Sequence, residues 1–172
     1  MSGERSVPPP RRLALAITGA SGSVYGLRVL SALLQQPSLE VHLTISPAAV
    51  KVLRVEHDLG VNLDAFDPAA LGLKESPRLI FHHPEEIAAP LASGSFRVQA
   101  MAIVPCSMGC AGNVANGISG DLVERAADVM IKERRPLILV PRETPLSAIH
   151  LENLLKLARL GVTVLPAAPG FY

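Results

Sequence analysis

Five short stretches carry the groups that could handle an anion or a proton: GASGS at residues 19–23, Ser46-Pro47, PCSMGCAGN from Pro105, PRETP from Pro141 and PAAPGFY from Pro166. In the first, the glycines let the backbone turn tightly and approach a ligand, and Ser21 and Ser23 add hydroxyl groups. A helix following the turn would aim its open N–H groups at negative charge. A Gly-Ser link between strand and helix is equally ordinary N-capping, so the turn alone leaves both readings open. Ser107 divides in the same way, between a donor to a bound anion and a helix cap. Arg142 can grip phosphate oxygens through two N–H bonds and Glu143 can move a proton, against the alternative of a plain Arg–Glu surface pair.

Other residues of reactive type read more quietly. The block KERRP at residues 132–136 puts cations in a helix's last turn, where they complement its dipole, and only Lys132 is kept as a candidate. Cys106 and Cys110 are too few for a disulfide framework, and Cys106 reads as a small buried hydrophobe rather than a nucleophile. The five histidines, His82-His83 among them, lack ligand spacing, so no metal site is expected.

Each of the five stretches follows the end of a predicted strand. Residues 13–18 are an apolar run closed by glycine, and residues 24–36 set Val24, Leu27, Leu30 and Leu34 on one helical face. Val41, Leu43 and Ile45 alternate as a second strand, and a helical pattern resumes over residues 48–55. Residues 56–83 are irregular and read as loops, with a short strand at 79–82. Residues 101–104, 137–140 and 162–165 read as buried strands, and 121–134 and 147–159 as helices.

This alternation predicts one α/β domain over residues 13–172, after a disordered Pro-rich tail at 1–12. The sheet is expected to be doubly wound and mostly parallel, Rossmann-like or flavodoxin-like, with helices on both faces. Ligands of such sheets bind outside the carboxyl ends of the strands, so all five stretches line one site.

Composition agrees with that class. Of 172 residues 49% are hydrophobic but only 3% aromatic, so Leu, Val, Ile and Ala must fill the core. Sixteen basic and fifteen acidic side chains give a net charge of +1, and no charge run marks a nucleic-acid binder. No apolar stretch approaches the roughly 20 residues of a membrane span, and the start of the chain does not read as a secretion signal. A soluble, cytoplasmic protein is expected, with a small molecule or another protein as partner.

Taken together, ITGASGSVYGLRVL, VPCSMGCAGNVANGISGDLVERAADVMIKERRPLILVPRETPL and LPAAPGFY resemble the UbiX family of flavin prenyltransferases, and the resemblance runs from Leu13 to Tyr172. It implies a reaction in which reduced FMN is alkylated by dimethylallyl phosphate, closing a fourth ring at N5 and C6. The prenylated FMN then serves a UbiD-type decarboxylase. The resemblance assigns the flavin to Gly19, Ala20, Ser21, Ser46, Ser107, Met108, Gly109, Cys110 and Arg142. It assigns the prenyl phosphate to Lys132, Arg142 and Tyr172, and it makes Glu56 a site carboxylate between subunits. Catalytic roles fall to Ser21, Glu56, Lys132 and Glu143. Cations at Lys132 and Arg142 would stabilise the departing phosphate, while Ser21 and Glu143 relay protons. A homo-oligomer, commonly a dodecamer, is implied as well.

The chain departs from the family pattern in places. Gly109 stands where many members carry Lys, and Cys110 where Thr is usual. The family continues past the position of Tyr172 into a helix bearing an Arg that contacts the prenyl phosphate, which leaves open the reading of an FMN-binding partner without turnover. A flavin-dependent decarboxylase is a second alternative, because cysteine decarboxylases share the broader flavoprotein fold.

Overall fold

The computed structural model describes residues 11–169. Strands buried on both faces need apolar side chains at nearly every position. The latter part of β1 (Arg11–Ile17) and β4 (Ala100–Cys106) meet that need, while β2 (Leu39–Ile45) is apolar on one face and carries Glu40, His42 and Thr44 on the other; these three form the middle of the sheet. β3 (Leu79–Phe81) lies at one edge, and β5 (Leu137–Pro141) and β6 (Thr163–Val164) extend the other. The order is β3-β2-β1-β4-β5-β6 and every pair is parallel.

α1 (Ser23–Leu34) and α2 (Pro47–His57) connect strands toward the β3 edge. α3 (Met108–Ala115), α4 (Leu122–Lys132) and α5 (Ala148–Arg159) connect them toward the β6 edge. The winding reverses between β1 and β4, which opens a crevice at their carboxyl ends. One core joins Leu15, Ile17, Val41, Leu43 and Ile45 to Leu30 of α1 and Leu53 of α2. A second, on the other face, joins Ala14, Met101, Ile103 and Leu139 to α3, α4, α5 and residues 89–98.

The structure moves several expected boundaries. Arg11 and Arg12 belong to β1 rather than to a tail, because their backbones pair with Leu39 and Glu40. Residues 1–10 lie outside the described residues. α2 runs on to His57, closed by the left-handed Asp58, so Glu56 sits on a helix rather than in a loop. A 3-10 turn at Pro68–Leu71 interrupts the irregular stretch. α3 had no predicted counterpart beyond its cap Ser107, whose Oγ accepts from the Cys110 N–H. α4 ends at Lys132, because the chain reverses through the left-handed Arg134, and Arg134 and Arg135 lie beyond the helix.

Candidate functional site

Thr18 fastens the two loops at the crevice. Its Oγ1 donates to the Pro105 carbonyl at 2.8 Å and accepts the Ser107 N–H at 2.8 Å, and its own N–H reaches Pro105 O at 3.2 Å. Thr18 is 3% exposed, so these bonds are shielded from water and fix the 19–23 turn against the 105–110 segment. The sequence reading missed this residue; its signal was a lone hydroxyl closing an apolar strand.

The turn also packs tightly on α2. A Cβ on Gly19 would stand 2.5 Å from the Ala48 Cβ, so only glycine lets the turn lie on that helix's first turn. Gly26 is confined likewise, its missing Cβ falling 2.3 Å from the Val104 carbonyl. Ser46 caps α2 by accepting the Ala49 N–H at 3.1 Å, which leaves its own hydroxyl proton free to donate.

Gly22, the N-cap of α1, offers no side chain, and Glu56 of α2 takes over the capping. Its carboxylate accepts the Gly22 and Ser23 N–H groups at 2.9 Å each and the Ser23 hydroxyl at 2.5 Å. Burial alone would raise its pKa, but the bonds from Ser23, Gly22 and Ser21 outweigh it and lower the value to about 2. The anion that this helix start favours is therefore supplied by the chain itself. That narrows the expected anion site: the open donors of the turn are the Gly19 and Ser21 N–H groups, which have no partner among the described residues.

The segment after β4 contributes differently from the expectation. Met108 and Cys110 turn into the core, at 8% and 7% exposure, together with Ala111, Val114 and Ala115 at the three- and four-residue spacing of a helix face. The Cys106 thiol and burial push the Cys110 thiol far above its ordinary value, so it packs as an uncharged group. What faces outward is Ser107, the exposed Gly109 and the first N–H groups of α3, which a helix start leaves open. Arg142 is exposed after β5 and lies beside Gly22, its Cγ 3.9 Å from a Cβ placed there. No ion pair joins Arg142 to Glu143 among the described residues; Glu143 instead accepts the Thr144 N–H at 2.9 Å.

Lys132 is not brought to this crevice. It ends α4 near the amino ends of β4 and β5, paired with Glu133 and packed against Gly94, which precedes β4. The length of β4, about 20 Å for seven residues, separates it from Ser107. Tyr172 lies outside the described residues. Among the described residues no cluster of His, Cys, Asp and Glu is placed to hold a metal, and no helix is long and apolar enough to cross a membrane. Cavities of about 630 and 550 Å³ open elsewhere, beside Arg78 and beside Arg134 and Arg135.

Comparison with known proteins places this geometry. The Flavoprotein family model matches residues 2–171. A flavin prenyltransferase UbiX of Pseudomonas aeruginosa is 50% identical over 168 residues, 95% of this chain and 79% of that protein. The crystal structure of AnUbiX (PadA1) in complex with FMN and dimethylallyl pyrophosphate matches with a TM-score of 0.83 at 41% identity, covering 95% of this chain and 81% of the other. A dodecameric FMN-dependent UbiX-like decarboxylase from Escherichia coli O157:H7 matches with a TM-score of 0.83 at 40% identity, covering 94% of this chain and 82% of the other.

Proposed function

The chain belongs to the UbiX family of flavin prenyltransferases, and from that membership we propose that it transfers a dimethylallyl group from dimethylallyl phosphate to reduced FMN. The observation that carries the reading is the crevice at the winding reversal, where the Thr18-fastened turns and Arg142 converge. FMN fits the groups present. Open N–H groups at Gly19 and Ser21 and the Ser46 hydroxyl offer donors for a phosphate, and the outward edge of Ser107 and Gly109 leaves room for a flat ring, with open space around Gly109. Reduced FMN supplies the nucleophile when bound, so the protein has to bind, orient and exclude water.

Each side chain then has a task set by its surroundings. Arg142 holds the departing phosphate, where its fixed charge stabilises the anion as the allylic bond breaks. Glu56, with a pKa of about 2, stays ionised at neutral pH and acts as a fixed acceptor rather than an acid. It engages the Ser21 hydroxyl proton and so leaves the Ser21 oxygen free to accept a proton or a hydrogen bond at the crevice. Glu143, exposed beside Arg142, carries the proton that the phosphate exchanges.

Lys132 serves the crevice of another copy, because its own lies across the sheet. This favours a homo-oligomer whose sites form between subunits, of the dodecameric kind. The prenylated FMN passes to a UbiD-type decarboxylase, and the reaction belongs in the reducing cytoplasm, where the free thiols of Cys106 and Cys110 persist. Anaerobic incubation with reduced FMN and dimethylallyl phosphate or pyrophosphate tests the reading, with the flavin's mass as the signal. A heavier flavin supports transfer, and binding without a mass change supports a flavin carrier.

A further inference from the structure

On the face of the sheet away from α1 and α2, a line of polar side chains lies outside the crevice. Arg12 Nε donates to Glu40 Oε1 at 2.8 Å, and His42 Nε2 meets the same oxygen at 2.8 Å. On its other side His42 Nδ1 stands 2.8 Å from His82 Nε2. The two imidazoles are stacked 5.1 Å apart and are only 4% and 6% exposed.

Residues 83–99 close over this line. Their regular structure is a single 3-10 turn at Pro90–Ala92, so isolated backbone bonds, Leu122 N–H to the Pro84 carbonyl at 2.8 Å among them, and side-chain contacts hold them down. Phe96 meets His42 edge-on at 5.0 Å and lies under the Arg12 guanidinium at 4.7 Å. Gln99 N–H donates to the Arg12 carbonyl at 2.9 Å, and Arg135 ties down the Phe96 and Gly94 carbonyls at 2.9 and 2.6 Å. Ala89, Leu91 and Val98 complete the attachment as buried apolar contacts.

The contact between the imidazoles restricts how many protons they carry. The Glu40 carboxylate accepts from His42 Nε2, and the short gap between His42 Nδ1 and His82 Nε2 holds one proton. A neutral pair meets both conditions, and one further proton is accommodated on His82 Nδ1. A second added proton sets N–H against N–H and breaks the contact. The charged groups facing the pair are Glu40 from β2, Arg12 from β1 and Glu86 from the covering segment. Burial holds both imidazoles below the ordinary histidine value, with Arg12 opposing charge on His42, Glu40 favouring it there, and Glu86 favouring it on His82. The folded state thus binds fewer protons than the unfolded chain. Its stability is complete above the ordinary value of 6.5 and falls as the pH drops below it.

We propose that the His42–His82 pair is an acid-sensitive latch, which keeps residues 83–99 closed on the sheet at neutral pH and releases them when the pair becomes doubly charged. The latch is independent of flavin binding and needs no ligand.

Hydrogen exchange read by mass spectrometry tests it on the whole chain at pH 7.5 and 5.5, after correction for intrinsic rates. Protection of residues 84–98 should fall by roughly tenfold per pH unit for each proton taken up, while α4 keeps its protection. In His82→Gln the amide can donate to His42 Nδ1 or, turned over, accept from it, so the segment should stay protected at both pH values. Unchanged protection in the wild type, or an equal fall in His82→Gln, overturns the proposal. Glu86→Gln, at an exposed position that does not threaten folding, removes a charge that favours protonated His82 while the segment is closed, so it should move the release to higher pH. A move to lower pH contradicts it.

Discussion

The Ser23 hydroxyl donates to Glu56 Oε2 at 2.5 Å across 33 residues of sequence, so the start of α1 is capped by a carboxylate from α2. That bond couples the two helices on one side of the crevice and fixes the turn between them before any ligand arrives. Glu56→Gln keeps one acceptor oxygen but sets an NH₂ against either the Gly22 N–H or the Ser23 N–H, which bond different carboxylate oxygens. A loss of about 1–2 kcal/mol is expected, the scale of a lost N-cap, measured by chemical denaturation. The folded pKa of about 2 lies below the ordinary 4.5, so this contribution is present above pH 4.5 and disappears as pH falls toward 2. The variant should therefore match the wild type only at the acid end of a stability–pH profile.

Thr18→Val keeps the shape of the side chain and removes both of its bonds. The Ser107 N–H and the Pro105 carbonyl each lose a partner in a shielded place, which costs about 1–3 kcal/mol. FMN affinity should weaken along with stability, because the same hydroxyl sets the spacing of the two turns. Titration of FMN beside a denaturation curve checks the pairing: a stability loss with unaltered affinity would detach Thr18 from the site.

Gly19→Ala forces a methyl group against Ala48, at 2.5 Å from its Cβ. Overpacking of this kind costs about 1–3 kcal/mol and displaces the turn, so both melting temperature and FMN affinity should drop. Adding Ala48→Gly removes the closest contact and should restore part of both. The remaining backbone atoms of residue 48, at 3.3 and 3.4 Å, keep the rescue incomplete.

Lys132→Ala and Arg142→Ala should each abolish most prenyl transfer while leaving the chain folded, since both side chains are exposed. Reassembled together from equal amounts, they should regain activity at about a quarter of the sites, because a crevice takes Arg142 from one copy and Lys132 from another. No recovery on mixing would mean that both residues act within one chain.

The strand-helix alternation was readable because buried parallel strands and amphipathic helices differ in period, and β1, α1, β2 and β5 each fall within a few residues of expectation. α3 was hidden by its eight residues, two of them glycine, and by apolar positions too few to set a period. In the site, the glycines and Arg142 announced themselves locally. The Glu56 cap did not, because its partners lie 33 and 34 residues away. Lys132 stands only ten positions before Arg142, but β5 runs the length of the sheet between them, so closeness in sequence does not bring the two to one crevice within a chain.

The most direct measurement is the mass of the flavin recovered after anaerobic incubation of the protein with reduced FMN and dimethylallyl phosphate. The wild type should yield a flavin heavier by one prenyl group, and Arg142→Ala should not. Recovery of FMN at its starting mass, from a protein shown by titration to have bound it, would contradict prenyl transfer at this crevice.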